Sequence, residues 1–434
     1  MSRRLAVLLL SLALIAMSSA LAWMFREMMV SVEVPPMAEM PAQPVRKPVT
    51  KPAPQVPATF ATPSTTAVDK DRPLAETIAE ALLNPEAIPG EALLTFKNAA
   101  ALAAFRARAA EAGLDIISID PTLLTARVRY RSLDGLQKDL AEHASDYTNA
   151  GPNLIARIPG LPAQPQKDTA NAGGSTPFRS QGLDLIGAPA NRTGWGSGVT
   201  VAVLDSGVVD HPSLRNASIT HIDLVEDGQA FHGHGTAMTS LIAGDDPNIA
   251  GISPASKIID IRVADPQGNS NTALLASGIV RAIESGAKVI NISLGSSQTS
   301  PVLEQAVQYA ISRGAVIIAA AGNEQSNALS YPAGYSGVVS VAAIDANGAQ
   351  AWFSNSGQGL TLAAPGVGIV SAYTANKLVI GSGTSQATAI TSGVAAYLAG
   401  RGYLPANIPT VLIRSARPTG AAQTAVGAGI LRIP

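Results

Sequence analysis

The sequence predicts an α/β protein built on a mostly parallel sheet in three layers, preceded by a small α+β domain of ferredoxin-like order. Three observations carry this. Beyond residue 181, short β-branched runs alternate with helical patterns, which argues for a parallel sheet covered on both faces. Residues 90–160 carry their own periodicity in the order β-α-β-β-α-β. Two stretches rich in turn formers, residues 31–89 and 161–180, set these blocks apart.

The chain has 434 residues, a net charge of −1 and 14% charged residues, with no basic block to recruit nucleic acid. It contains no cysteine, which excludes disulfides, thiolate chemistry and cysteine-based zinc sites. Residues 5–25 are uncharged and follow Arg3 and Arg4. As a helix, 21 residues span about 31 Å, close to the roughly 30 Å of a bilayer core. Residues 1–30 are therefore expected to be a signal anchor or a signal peptide, cleaved near Ala20 and Ala22, with all that follows outside the cytoplasm. Nine prolines between Val34 and Pro63 make 31–89 an extended spacer, which fits an anchored segment upstream.

In the next block EALLTF reads as a strand, and Asn98 caps a helix that stops at Gly113. LDIISI and LLTARVRY are strands, Ser132 caps a second helix and NLIARI is the last strand. After the exposed linker, VTVAVLD, KIIDIRV, KVINISL, AVIIAAA and VVSVAAI supply the strands of the larger sheet. TALLASGIVRAIES and SPVLEQAVQYAISR supply helices between them.

In such sheets ligands sit beyond the carboxyl ends of the strands. Asp205 ends VTVAVLD, and Asn323 follows AVIIAAAG. His234 opens a helix in HGHGTAMTSLIAG, and Ser385 opens one in GSGTSQATAITSGVAAYLAG. Taken singly, each has an ordinary role: Asp205 and Asn323 as turn residues, His234 and Ser385 as helix caps. Pairing His234 with His232 on a metal would need further ligands that the sequence does not gather. Together the four suit acyl transfer. Ser385 would be the nucleophile and His234 its base, with Asp205 fixing the imidazole and Asn323 donating to the oxyanion.

These motifs resemble the subtilisin-like serine proteases, or subtilases. VAVLDSGV with His211-Pro212, HGHGTAMTSLIAG, AAAGN and GTSQATA match the family's aspartate, histidine, oxyanion and serine motifs. NISLG, FSNSG and LAAPG are also family-like, and the resemblance spans roughly residues 181–416. It selects His234 over His232, because Gly-Thr follows the family's catalytic histidine. It implies a subtilisin-like catalytic domain over 181–434 and a propeptide-like domain over 90–160, with self-processing between Pro159 and Gln181. Substrate would dock as an added strand between Ser293-Leu294-Gly295 and Gly268-Asn269-Ser270. Small residues including Ala320 and Gly322 would line the specificity pocket.

The expected partners are protein or peptide substrates, and the membrane through the N-terminal segment, with no nucleic acid. No cofactor is required for the chemistry. Many relatives bind structural calcium, but no acidic cluster places a site, so no metal ligand is assigned. Gln386 and Ala389 depart from the family's methionine and proline. That departure keeps a second reading open: a membrane-tethered peptide-binding or assembly factor on an inactive subtilase fold.

Overall fold

The structure, a computed structural model, describes residues 72–160, 175–178, 181–246 and 249–434. The signal or anchor segment, the 31–89 spacer up to residue 71, and residues 161–174 and 179–180 of the second linker lie outside the described residues.

The N-terminal α+β layer runs α1 (Leu74–Leu82), β1 (Ala87–Phe96), α2 (Ala99–Arg108), β2 (Leu114–Asp120), β3 (Thr125–Tyr130), α3 (Leu133–Glu142) and β4 (Tyr147–Arg157). Its strands stand in the order β4-β1-β3-β2, all neighbours antiparallel. Asn98 accepts the Ala101 N–H at 2.9 Å and Ser132 the Gly135 N–H at 3.1 Å, starting α2 and α3. Residues 72–89 differ from the expected spacer. Helix α1 buries Ile78 in the same small core as Leu94, Phe96 and Phe105, and β1 already starts at Ala87. An apolar stripe on LAETIAEAL gives the helix a face to bury, which the proline-rich segment before it lacks.

Seven parallel strands form the main sheet: β5 (Thr200–Asp205), β6 (Ser218–Asp223), β7 (Lys257–Arg262), β9 (Val289–Ile292), β10 (Val316–Ala320), β11 (Val339–Ile344) and β12 (Leu362–Pro365). Their order is β12-β11-β10-β9-β5-β7-β6. Side chains alternate between two cores as the strand period requires. Val201 and Val203 pack with α4 (His234–Ala243) and α7 (Thr384–Gly400). Ala202 and Leu204 pack on the opposite face with α5 (Thr272–Glu284) and α6 (Pro301–Ser312). Helices therefore cover both faces of the sheet, in the three-layer arrangement the sequence predicts.

A short strand between β7 and β9, β8 (Asn269–Asn271), lies outside the main sheet and pairs antiparallel with β4, extending the N-terminal sheet. Leu93, Leu123 and Ala156 of that sheet share a core with Leu275 and Ile279 of α5 and Leu303 and Val307 of α6. Part of the expected exposed linker is also docked. Phe178 is buried in the main core, and its N–H donates to the Val367 carbonyl at 2.9 Å.

Candidate active site

Two strand ends and two helix starts converge on one edge of the main sheet. Asp205 closes β5 and is fully buried. His234 opens α4, and its Nδ1 lies 2.9 Å from each Asp205 carboxylate oxygen. A proton held on Nδ1 by that carboxylate leaves Nε2 free to accept one. Close backbone approach makes the pairing feasible. A Cβ on Gly235 would meet the Gly207 carbonyl oxygen at 2.5 Å, so only glycine lets α4 start against the turn after Asp205. Ser206 joins the same two elements, donating its N–H to Asp205 at 2.8 Å and accepting the Gly235 N–H at 3.1 Å.

Helix α7 is buried along nearly its whole length, which its alternation of Ala, Gly, Ser and Thr with Ile, Val and Leu permits. Ser385 sits in its first turn, where backbone N–H groups lack intrahelical partners and favour negative charge. Its Oγ donates to the Ser293 carbonyl at 3.2 Å rather than to His234. Asn323 lies beyond the end of β10, and its side-chain carbonyl accepts both the Thr384 N–H and the Thr384 hydroxyl at 2.9 Å. With the oxygen so occupied, the amide Nδ2 is left to face the cleft. His234, Asn323 and Ser385 line one cavity of about 520 Å³, with Gly268, Gln386 and the tail residues Ile158, Pro159 and Gly160.

Other sequence-assigned residues fall around that tail. Arg157 and Gly295 exchange both backbone hydrogen bonds, at 2.9 and 3.1 Å. On the other side Ile158 donates to the Gly268 carbonyl at 2.8 Å, and Asn269 is in register with Arg157. The end of β4 is thus held between the two expected substrate-binding edges. Leu294, Gly295, Ala320 and Gly322 line a second cavity of about 250 Å³, which Glu86, Arg157 and Glu324 also border. Ser293 lies beneath Ser385, outside that lining.

His232 stands apart from the carboxylate. Its ring centroid is 6.5 Å from that of His234, and burial, then the charge of His234, push its pKa down. Gln386 is buried, with its Oε1 unpartnered, and packs against Gly381 and Gly383. Ala389 is fully buried in α7. Among the described residues no three His, Asp or Glu side chains gather, so no calcium site is assigned.

Two supporting residues were not singled out from the sequence. Thr384 fixes Asn323 through a contact across 61 positions, which no local pattern signals. Asp260 accepts the Val208 N–H at 2.8 Å and faces His221 Nδ1 at 2.9 Å, tying the turn after Asp205 to β7. Burial pushes its pKa up, while its hydrogen bonds with His221 and Val208 oppose that. A lone aspartate inside the apolar run KIIDIRV was the available sign, because a buried carboxylate needs partners.

The model of the subtilase family matches residues 196–429, more than half of the chain. The chain belongs to the subtilase family. It is 41% identical over 216 residues to the thermostable alkaline protease of Halalkalibacterium halodurans, covering 49% of this chain and 59% of that protein. It is 38% identical over 246 residues to thermitase of Thermoactinomyces vulgaris, covering 55% of this chain and 88% of thermitase. The crystal structure of fervidolysin from Fervidobacterium pennivorans superposes with a TM-score of 0.67 at 23% identity, over 81% of this chain and 61% of that one. This last likeness concerns the fold. It reaches well beyond the matched subtilase region, which alone is too short to supply 81% of the chain.

Proposed function

We propose that this subtilase is an exported serine endopeptidase made as a self-processing precursor. The observation that carries the reading is the Asp205–His234 pair in the same cleft as Ser385, on a helix start, and Asn323, whose carbonyl is tied back by Thr384. Ser385 Oγ attacks the substrate carbonyl while His234 Nε2 takes its proton. The Asp205 carboxylate stabilises the imidazolium, and the proton then passes to the leaving amine as the C–N bond breaks. Water hydrolyses the resulting ester by the same route in reverse. The oxyanion is met by Asn323 Nδ2 and the Ser385 N–H at the α7 terminus.

Substrates are proteins or peptides that bind as a strand between Gly268-Asn269 and Ser293-Leu294-Gly295. The β4 tail occupies that slot, which supports a propeptide role for the N-terminal layer. Arg3, Arg4 and residues 5–25 support export, with the catalytic part outside the cytoplasm. The test is hydrolysis of an unfolded protein substrate by the processed enzyme and by His234→Ala. The account expects the variant to lose at least about a thousandfold, the scale on which a triad member acts. Equal rates would leave the peptide-binding reading in its place.

A further inference from the structure

The β4 tail carries an unexpected residue into the cavity that Ser385 lines. Arg157 and Gly295 form an antiparallel pair that exchanges both backbone bonds. In such a ladder the next pair of the same kind lies two residues on, along each strand in opposite directions. β4 ends at Arg157, and continuing its register would set residue 159 opposite Ser293. A residue with an N–H would donate it to the Ser293 carbonyl, but residue 159 is proline and has none. That carbonyl accepts the Ser385 hydroxyl instead, at 3.2 Å. Pro159 and Gly160 line the cavity that Ser385, His234 and Asn323 share, and on the endopeptidase reading this register would bring the 159–160 peptide to the nucleophile.

We propose that Pro159 is the residue that stops the chain from cutting itself where its tail lies. The inference rests on the endopeptidase reading and concerns which bond that enzyme spares. Three effects act together. The strand bond that should draw residue 159 onto the Ser293 edge cannot form. The ring fixes φ near −65°, whereas an antiparallel strand wants about −140°, so the carbonyl is not carried to the oxyanion donors. The Ser385 proton is directed at the Ser293 carbonyl rather than at His234. The tail therefore remains as a bound strand, and processing takes place C-terminal to Gly160.

The experiment compares the full-length precursor with its Pro159→Ala variant. Pro159 is only half-buried just beyond β4 and belongs to none of the three hydrophobic cores, so the substitution leaves the fold in place. In the variant, Ser385 Oγ adds to the carbonyl carbon of residue 159 and its proton passes through His234 to the Gly160 nitrogen. The C–N bond breaks, and water then hydrolyses the ester. N-terminal sequencing should find the variant's product beginning at Gly160, at a yield about tenfold or more above wild type, the scale of one recovered backbone hydrogen bond. Wild type should begin later in the chain. A wild-type product beginning at Gly160 in a yield equal to the variant's overturns the proposal, as does a Pro159→Ala precursor that is never cut there. Labelling of both processed proteins by a fluorophosphonate separates the two levels. Labelled enzyme with the wrong N-terminus refutes the role of Pro159 alone, whereas unlabelled enzyme refutes the endopeptidase reading and this inference with it.

Discussion

At the scale of single residues, chemistry here depends on holding each polar atom to one task. Asn323 illustrates it. Two donors from Thr384 take its carbonyl oxygen, which leaves the amide free to meet the oxyanion in the proposed mechanism. Asn323→Ala should retain fluorophosphonate labelling but slow peptide hydrolysis about a hundredfold, near 3 kcal/mol, the usual loss for one oxyanion donor. The loss should appear in kcat with KM nearly unchanged, because the donor acts on the transition state. A change confined to KM would assign Asn323 to substrate binding instead. Asp205, His234, Asn323 and Ser385 were legible because each sits in a short motif whose glycines permit close backbone approach. Thr384 as an orienter and Asp260 as a brace were not, because their partners lie 61 and 52 positions away.

Among the elements, the contact between β4 and α5 joins the two halves of the molecule. Asn153 Oδ1 accepts from the Thr272 hydroxyl and the Ala273 N–H at 3.2 Å, at the start of α5. Its amide donates to Glu91 at 2.9 Å, and Glu91 also pairs with Arg127 at 2.7 Å. Burial alone would raise the Glu91 carboxyl, but the hydrogen bonds from Arg127 and Asn153 and the charges of Arg127 and Arg129 hold it below its ordinary 4.5. A carboxylate whose folded pKa is depressed adds stability that is fully present above the unfolded value. That stability is lost as pH falls through the folded value. Acidification below pH 4.5 should therefore loosen the N-terminal layer, and Glu91→Gln should do so at neutral pH by about 1–3 kcal/mol. Hydrogen exchange of the β4 amides in a Ser385→Ala background measures both effects. Unchanged protection in Glu91→Gln would show that the apolar contact of Leu93 and Leu123 with α5 and α6 suffices. The β-α-β-β-α-β order could be read from period and caps, whereas α1 could not, because residue 72 follows directly on a spacer-like composition.

For the whole molecule, the parallel sheet was legible from alternating apolar runs, and the match of residues 196–429 to the subtilase family agrees with it. What the sequence could not give was the seating of β4 between β8 and Gly295, since pairing between distant strands leaves no local trace. Among the described residues no helix is long and apolar enough to cross a membrane, and residues 5–25 lie outside them. An anchored precursor predicts that the Ser385→Ala chain stays in the membrane pellet through alkaline carbonate extraction. Recovery in the soluble fraction, starting near Leu21 or Trp23, would instead establish a cleaved signal peptide.

The most direct test of the central claim is to map the site of fluorophosphonate modification on the processed enzyme by peptide mass spectrometry, beside Ser385→Ala and Asp205→Asn. The account predicts a single adduct on the peptide carrying Ser385, none in Ser385→Ala, and much slower modification in Asp205→Asn, where the imidazole loses its carboxylate. An adduct on a different serine, or equal modification of wild type and Ser385→Ala, would contradict it.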